Sequence, residues 1–281
     1  MVAITAQTLA DEIRRQKALS QSIMADQTAV SSGTRLTKAS QDPLAWVQVS
    51  DLARQQSQQA AWSHNVSYAQ SRSAKASSNL EELYNLFNRG QELMVTATTA
   101  STNDSGRAAI TAELSNIRIV ANELINETDF QGTPVFDVGT STAIPVSRGI
   151  NLQVVGTREQ VSTGINVGGT VMSIDDILAN AIAAVSTGTD AQRSAALDGL
   201  RKGLDHVINQ QTSQGVRGDR LDTAKDRLVE VNLTLSERRS VLEDTDLTET
   251  LASVQSKLTT LQAAQAVFAK INQQTLFDLI R

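Results

Sequence analysis

Both ends of the chain carry a helical seam that alternates by three and four residues but is only partly apolar. At the amino end it runs Leu9, Ile13, Gln16, Ser20, Ile23, Gln27 and Val30; at the carboxyl end it runs Leu251, Val254, Leu258, Leu261, Gln265, Phe268, Asn272, Thr275 and Leu279. This spacing is a heptad, which holds all of these side chains on one face of a helix. Polar residues at seam positions weaken an isolated pair and fix register among several helices. Helices of about 30 residues with so sparse a seam are marginal alone. The ends are therefore predicted to be unfinished interfaces, with Leu9, Ile13, Ile23, Val30, Leu251, Val254, Leu258, Leu261, Phe268 and Leu279 as the assembly residues.

The composition fits an elongated, mainly α-helical body better than one thick core. Only 3% of the 281 residues are aromatic, and aromatic side chains dominate packing energy. Twenty-five basic and 30 acidic residues are interspersed to a net charge of −5, which leaves no stripe for nucleic acid. No apolar run approaches the roughly 18 to 20 residues that span a bilayer. Met1 to Leu9 lacks a basic region followed by a long apolar stretch, so no cleavable signal peptide is expected. With no cysteine, disulfides and thiol chemistry are excluded, and the compartment stays open between the cell interior and export without a signal peptide.

Along the chain, a first helix is predicted from about Thr5 to Ser32, stopped by Gly33. Asp42-Pro43 restarts it, because Asp accepts first-turn N–H groups and Pro at the first helical position gives up no bond. From Leu52 to Met94 the three-four alternation persists, predicting a rod from Pro43 to about Thr99. A turn cluster at Ser101 to Gly106 precedes a return helix with Ile110, Leu114, Ile117, Ala121 and Leu124 on one face. Between Gly132 and Gly169 lie 7 of the 15 glycines and 2 of the 3 prolines, with β-branched runs such as Ile150 to Val155. This composition predicts a small β-rich insertion at the far tip of the helical rods. Helix resumes at Ser173, pauses at Thr187-Gly188-Thr189, and runs from Asp190 to about Ser213. A break is expected at Gly215 to Gly218, before a rod in which Leu221, Leu228, Leu235 and Leu242 recur every seven residues. Asp244-Thr245-Asp246 marks a phase change, read as a cap and helix restart. The segments are thus 1–42, an end helix and connector; 43–129, amino-terminal rods; 130–172, the β-rich part; 173–246, carboxyl-terminal rods; and 247–281, the last helix.

No catalytic or metal constellation stands out. His64 and His206 lack a second ligand one turn away. No Gly-x-Ser-x-Gly elbow or phosphate-binding glycine loop occurs. Glu81-Glu82 and Asp175-Asp176 are the kind of pair that solvated helix faces carry. Asn65, Asn126 and Asn232 open glycosylation tripeptides of the sort that Asn/Thr-rich chains contain by chance.

Five stretches resemble the bacterial flagellin superfamily: Ser31 to Pro43, with Gly33, Arg35, Asp42 and Pro43 as its connector motif; Asn126 to Phe136; Gln214 to Leu221; Asp244 to Leu247; and Leu276 to Arg281. They occur in family order over nearly both termini. Asp42-Pro43 and Leu276-Phe277-Asp278 are similar to the members that join hook to filament, rather than to the filament subunit. Gly218-Asp219-Arg220 departs from the Asn-Arg of both groups. The resemblance implies a non-enzymatic axial protein without cofactor, exported unfolded through the flagellar type III apparatus with an export chaperone. It would self-associate in a ring or tube between a hook-associated protein and flagellin. Its terminal helices would pair and line the inner tube, with the β-rich part facing outward. A filament subunit, or a cytoplasmic coiled-coil signalling or scaffold protein, is the competing expectation.

Overall fold

The computed structural model describes residues 6–99, 103–129 and 131–278, with side chains described from residue 10 and as far as residue 270. Among the described residues there are seven helices: α1 (Ala6–Ser32), α2 (Pro43–Thr98), α3 (Asp104–Asn126), α4 (Arg158–Ser162), α5 (Ile174–Thr187), α6 (Asp190–Glu243) and α7 (Leu247–Asp278). Four short strands, β1 (Ala143–Ser147), β2 (Ile150–Gln153), β3 (Ile165–Val167) and β4 (Thr170–Met172), pair as two antiparallel hairpins. The fold is mainly α with a small two-hairpin region, as the sequence predicts.

Helix boundaries follow local chemistry. Gly33 ends α1 at φ +71°, a conformation a Cβ would strain. Asp42 Oδ1 accepts the Ala45 N–H at 3.0 Å and so caps α2. Ser173 and Asp176 form a reciprocal capping box at α5, and Thr157 and Gln160 form another at α4. In the second hairpin Gly168 and Gly169 both take positive φ, as a two-residue turn matched to strand twist requires.

The chain divides into two compact units, residues 1–57 with 232–281, and residues 58–231. In the second unit one continuous core draws on four helices. Leu80, Leu83, Phe87 and Met94 come from α2, Ile110, Leu114 and Ile117 from α3, Ile174, Ile177 and Leu178 from α5, and Leu200, Val207 and Leu221 from α6. Small residues allow close approach at its centre. A Cβ on Gly203 would stand 2.2 Å from the Phe87 ring.

Two expectations are overturned here. Helix α6 runs unbroken through Gly215 and Gly218. Gln214, fully buried, donates from Nε2 to Ser73 Oγ at 2.8 Å and to the Val154 carbonyl at 3.0 Å. These tertiary bonds hold the backbone where two glycines would let it break. The hairpin region, moreover, does not cap the end of α2. Asn65 Nδ2 reaches the Pro145 carbonyl at 2.9 Å and Arg72 reaches the Pro134 carbonyl at 2.8 Å. Both contacts fall well before Thr98, where α2 ends. Strands of three to five residues cannot bury Val146, Val154 and Val155 among themselves, so they use the sides of α2 and α6 as a floor.

Candidate assembly interface

In the first unit α1 and α7 pack antiparallel. Lys257 Nζ donates to Asp26 Oδ2 at 2.7 Å and to Ser22 Oγ at 2.9 Å, and Ser253 Oγ donates to the same carboxylate oxygen at 3.2 Å. Ascending from 22 to 26 thus matches descending from 257 to 253. The contact face of α7 is Thr250, Val254, Lys257, Leu261, Ala264 and Phe268, all half-buried. That face is itself a three-four alternation, sharing Val254, Leu261 and Phe268 with the seam expected from the sequence. On α1 the inward residues include Gln16, Leu19, Ile23, Asp26 and Val30, of which Ile23 is fully buried.

The rest of the expected seam faces outward. Ile13 is 51% exposed, Leu251 53% and Leu258 37%. Met24 and Leu247 are exposed as well. At about 100° per residue these side chains stand roughly a quarter-turn from the packed face on each helix. On both helices the rotation has the same sense, and the helices are antiparallel. The two exposed rows therefore lie on one flank of the pair. The side chain of Leu9 and the whole of Leu279 lie outside the described residues.

The connector residues meet the second helix break. Arg35 N–H donates to the Glu243 carbonyl at 2.7 Å, Thr245 N–H donates to the Gly33 carbonyl at 3.0 Å, and Thr34 and Asp244 form an antiparallel bridge. The Arg35 guanidinium donates to the Leu242 carbonyl at 2.9 Å, filling an acceptor left open at the end of α6. Asp246 Oδ1 accepts from Thr248 and Glu249 N–H groups and starts α7. Gly33, Arg35, Asp42 and Pro43 thus belong to one structure, a pair of helix breaks bonded to each other. Leu36, Ala45 and Val49 bury a small cluster beside it, with Trp46 and Leu242 packed on its edge.

Sequence reasoning missed Asp26 and Lys257. Their signal was positional, since each falls on the alternative three-four phase, but charged residues score against a seam. Elsewhere the polar groups serve the fold. Arg118 holds Asp175 through two 2.6 Å bonds and Asn122 adds a third. The Arg118 hydrogen bond, above all, lowers the Asp175 carboxyl below its ordinary range. Asp176 is lowered chiefly by its bond to Ser173, and Glu127 chiefly by its bond to Lys75. His206 Nε2 lies 3.0 and 3.1 Å from the carbonyls of Gln160 and Val161, which makes it an inter-element bond. Among the described residues no group of three or more His, Asp and Glu side chains could hold a metal ion, and no helix is long and apolar enough to cross a membrane.

Comparison with known proteins gives this geometry a family. Residues 4–141 match the model of the bacterial flagellin N-terminal helical region, and residues 197–280 match that of the C-terminal helical region. The chain is similar to flagellar hook-associated protein 3 of Salmonella typhimurium, at 25% identity over 90% of this chain and 91% of the relative. It is likewise similar to flagellar hook-associated protein 3 of Escherichia coli, at 24% identity over 89% and 90%. Its fold is similar to the flagellar junction protein FlgL of Legionella pneumophila, with a TM-score of 0.53 at 11% identity, covering 69% of this chain and all of that one. With both terminal helical regions matched, in order and around a short two-hairpin middle, the chain belongs to the bacterial flagellin family.

Proposed function

We propose that the chain is a structural junction of the flagellar axis, standing between a hook-associated protein and the first flagellin subunits, and that it joins them through the α1–α7 pair. The supporting observation is the apolar flank that this pair leaves open. A pair that, among its described residues, fully buries a single large side chain, Ile23, while exposing Ile13, Met24, Leu247, Leu251 and Leu258 is poorly served by folding alone. Ordering a residue costs about 1–2 kcal/mol of backbone entropy, and burying a Leu or Ile side chain returns about 1.5–3 kcal/mol. Neighbouring helices laid on the open flank supply that second half of the burial. The assembly residues named above then divide into two sets. Ile23, Val30, Val254, Leu261 and Phe268 serve the pair, and Ile13, Leu251 and Leu258 serve its neighbours.

A junction meets two different lattices, and polar seam groups such as Gln16, Asp26 and Lys257 favour register over raw affinity. On this reading the protein acts outside the cell, in the flagellum, after export with a chaperone that shields the ends. It performs no catalysis and needs no cofactor. Deleting the gene tests the proposal. Cells should keep hooks and release flagellin monomers into the medium, and the protein should be a trace component of sheared filament-and-hook preparations. Intact hooks with their junction but no filament material, or bulk abundance in the filament, would instead make it the filament subunit. Retention inside the cell would make it a scaffold protein.

A further inference from the structure

The arginines of the second unit fall into two groups. Arg72, Arg89, Arg107, Arg118, Arg193 and Arg201 each hold an aspartate or a glutamate. Among the described residues Arg148, Arg158, Arg217, Arg220 and Arg227 have no carboxylate partner, in a chain whose acids outnumber its bases. All but Arg158 gather in one place. Arg148 sits on the turn of the β1–β2 hairpin, and Arg217, Arg220 and Arg227 follow the side of α6 beside that hairpin. Helix α6 itself offers them no neutralising group. At about 100° per residue Ser213, Arg217, Arg220, Ala224 and Arg227 share a face, and Asp219, Asp222 and Asp226 all stand more than about 100° around the helix from its centre. Asp222 is engaged elsewhere, accepting from Gln70 Nε2 at 2.5 Å.

Arg217 and Arg220 line a cleft of about 590 Å³ between α6 and β1–β2, a volume within the range of about 300–1,000 Å³ that small-molecule sites occupy. No acidic residue lines it. Its other polar groups are the Asn151 and Gln153 amides and the Thr212 and Ser213 hydroxyls, beside the apolar Leu152. Neither amide side chain makes a hydrogen bond among the described residues. The two hydroxyls donate to the Ile208 and Asn209 carbonyls at 3.0 and 2.9 Å, which leaves their lone pairs to accept. Arg217 is half-buried, and its terminal nitrogens lie 3.6 and 3.9 Å from where a Cβ on Gly156 would stand. Burial alone pushes its guanidinium below the ordinary value, with no carboxylate to raise it. A guanidinium stays charged in a protein and carries five N–H donors in a fork that matches a carboxylate or phosphate. Drawing such a charge out of water without a partner is unfavourable, and an oxyanion entering the cleft supplies that partner.

We propose that this cleft binds a small polar oxyanion, whose carboxylate or phosphate group bridges Arg217 and Arg220 while the surrounding amides and hydroxyls hold its polar body. The site lies in the second unit and does not depend on the junction reading. The test uses the intact chain at constant ionic strength, with glucuronate and inorganic phosphate as probes and glucose as the neutral control. Arginine Nε–Hε signals are followed by NMR, with Arg217 and Arg220 assigned from R217M and R220M. Both signals should shift saturably with at least one probe. Tighter binding of glucuronate marks a carboxylate on a sugar-sized body, and tighter binding of phosphate marks the phosphate group itself. Each single variant should weaken binding about tenfold or more, as the loss of one charge-assisted contact predicts. Arg220 is exposed, so R220M carries the test even if R217M fails to fold. Without anions R217M should be at least as stable as the parent, because it removes an unpaired charge and keeps an apolar stem. A clear loss of stability would make Arg217 a residue of the fold and overturn the proposal. Shifts that stay linear with both probes, an equal response to glucose, or unchanged affinity in R220M would overturn it as well.

Discussion

Replacing Arg72 by Met should cost the second unit about 3 kcal/mol. Arg72 and Asp137 are 2.8 Å apart with side chains only 7% and 6% exposed. Arg72 also ties the Pro134 carbonyl, and Asp137 accepts from the Thr142 N–H at 2.6 Å and the Thr142 hydroxyl at 3.2 Å. Removing one member of a buried pair typically costs about 3–5 kcal/mol, because the other charge is left behind. The two Thr142 bonds keep Asp137 partly satisfied, which places the loss at the low end. With a urea dependence of about 2 kcal/mol per molar, the midpoint should fall by ~1.5 M. Trp46 and Trp62 are the only tryptophans, so a Trp46→Phe background lets Trp62 fluorescence report on the second unit. Replacing both members, by R72M and D137L together, should recover more than half of the loss, because no unpaired charge remains. An R72M midpoint within ~0.5 M of the parent would refute the argument, as that is the behaviour of a surface ion pair.

Gly203→Ala should destabilise the same unit by about 1–3 kcal/mol, since the new methyl collides with Phe87, even though Ala gains about 1 kcal/mol as a helix former; F87L should relieve it in the double variant, read by the same titration. Asp175 is depressed in the folded state, chiefly by its bond to Arg118, so its contribution is present above the unfolded carboxylate range and fades as pH falls through the lower folded value. Asp175→Asn should therefore lower stability near neutrality and flatten the acid limb of the stability profile, and an unchanged limb would contradict the assignment. Leu258→Asp should leave α1–α7 pairing intact by circular dichroism and abolish incorporation into flagella, whereas Val254→Asp should also loosen the pair; equal effects on the pair would reject the division of the seam.

Periodicity and caps made much of this legible. Gly33 ends α1 through its positive φ, and Asp42 and Ser173 start helices through bonds within three residues; such local signals are written in the sequence. The Leu221, Leu228, Leu235 spacing likewise foretells three buried side chains. At the terminal helices the sequence offered two three-four phases that share Val254, Leu261 and Phe268. Apolarity favoured the one through Leu251 and Leu258, yet the pair uses the one through Lys257, because Asp26 and Ser22 wait opposite it. A charged residue becomes a seam residue only when its partner is known. The same limit explains α6, where Gly215 and Gly218 read as a break until Ser73 and the Val154 carbonyl come to meet Gln214.

What the residues alone determined was an α-rich chain with amphipathic ends, a glycine-rich middle and helix limits set by short-range hydrogen bonds. Only the tertiary structure decided which phase of each end faces inward, that the hairpins lie along α2 and α6, and that two helix breaks bind each other at Arg35 and Glu243. The physical reason is range. Capping and periodicity are settled among neighbours in sequence, whereas the choice between two nearly equal faces is settled by groups more than two hundred residues away.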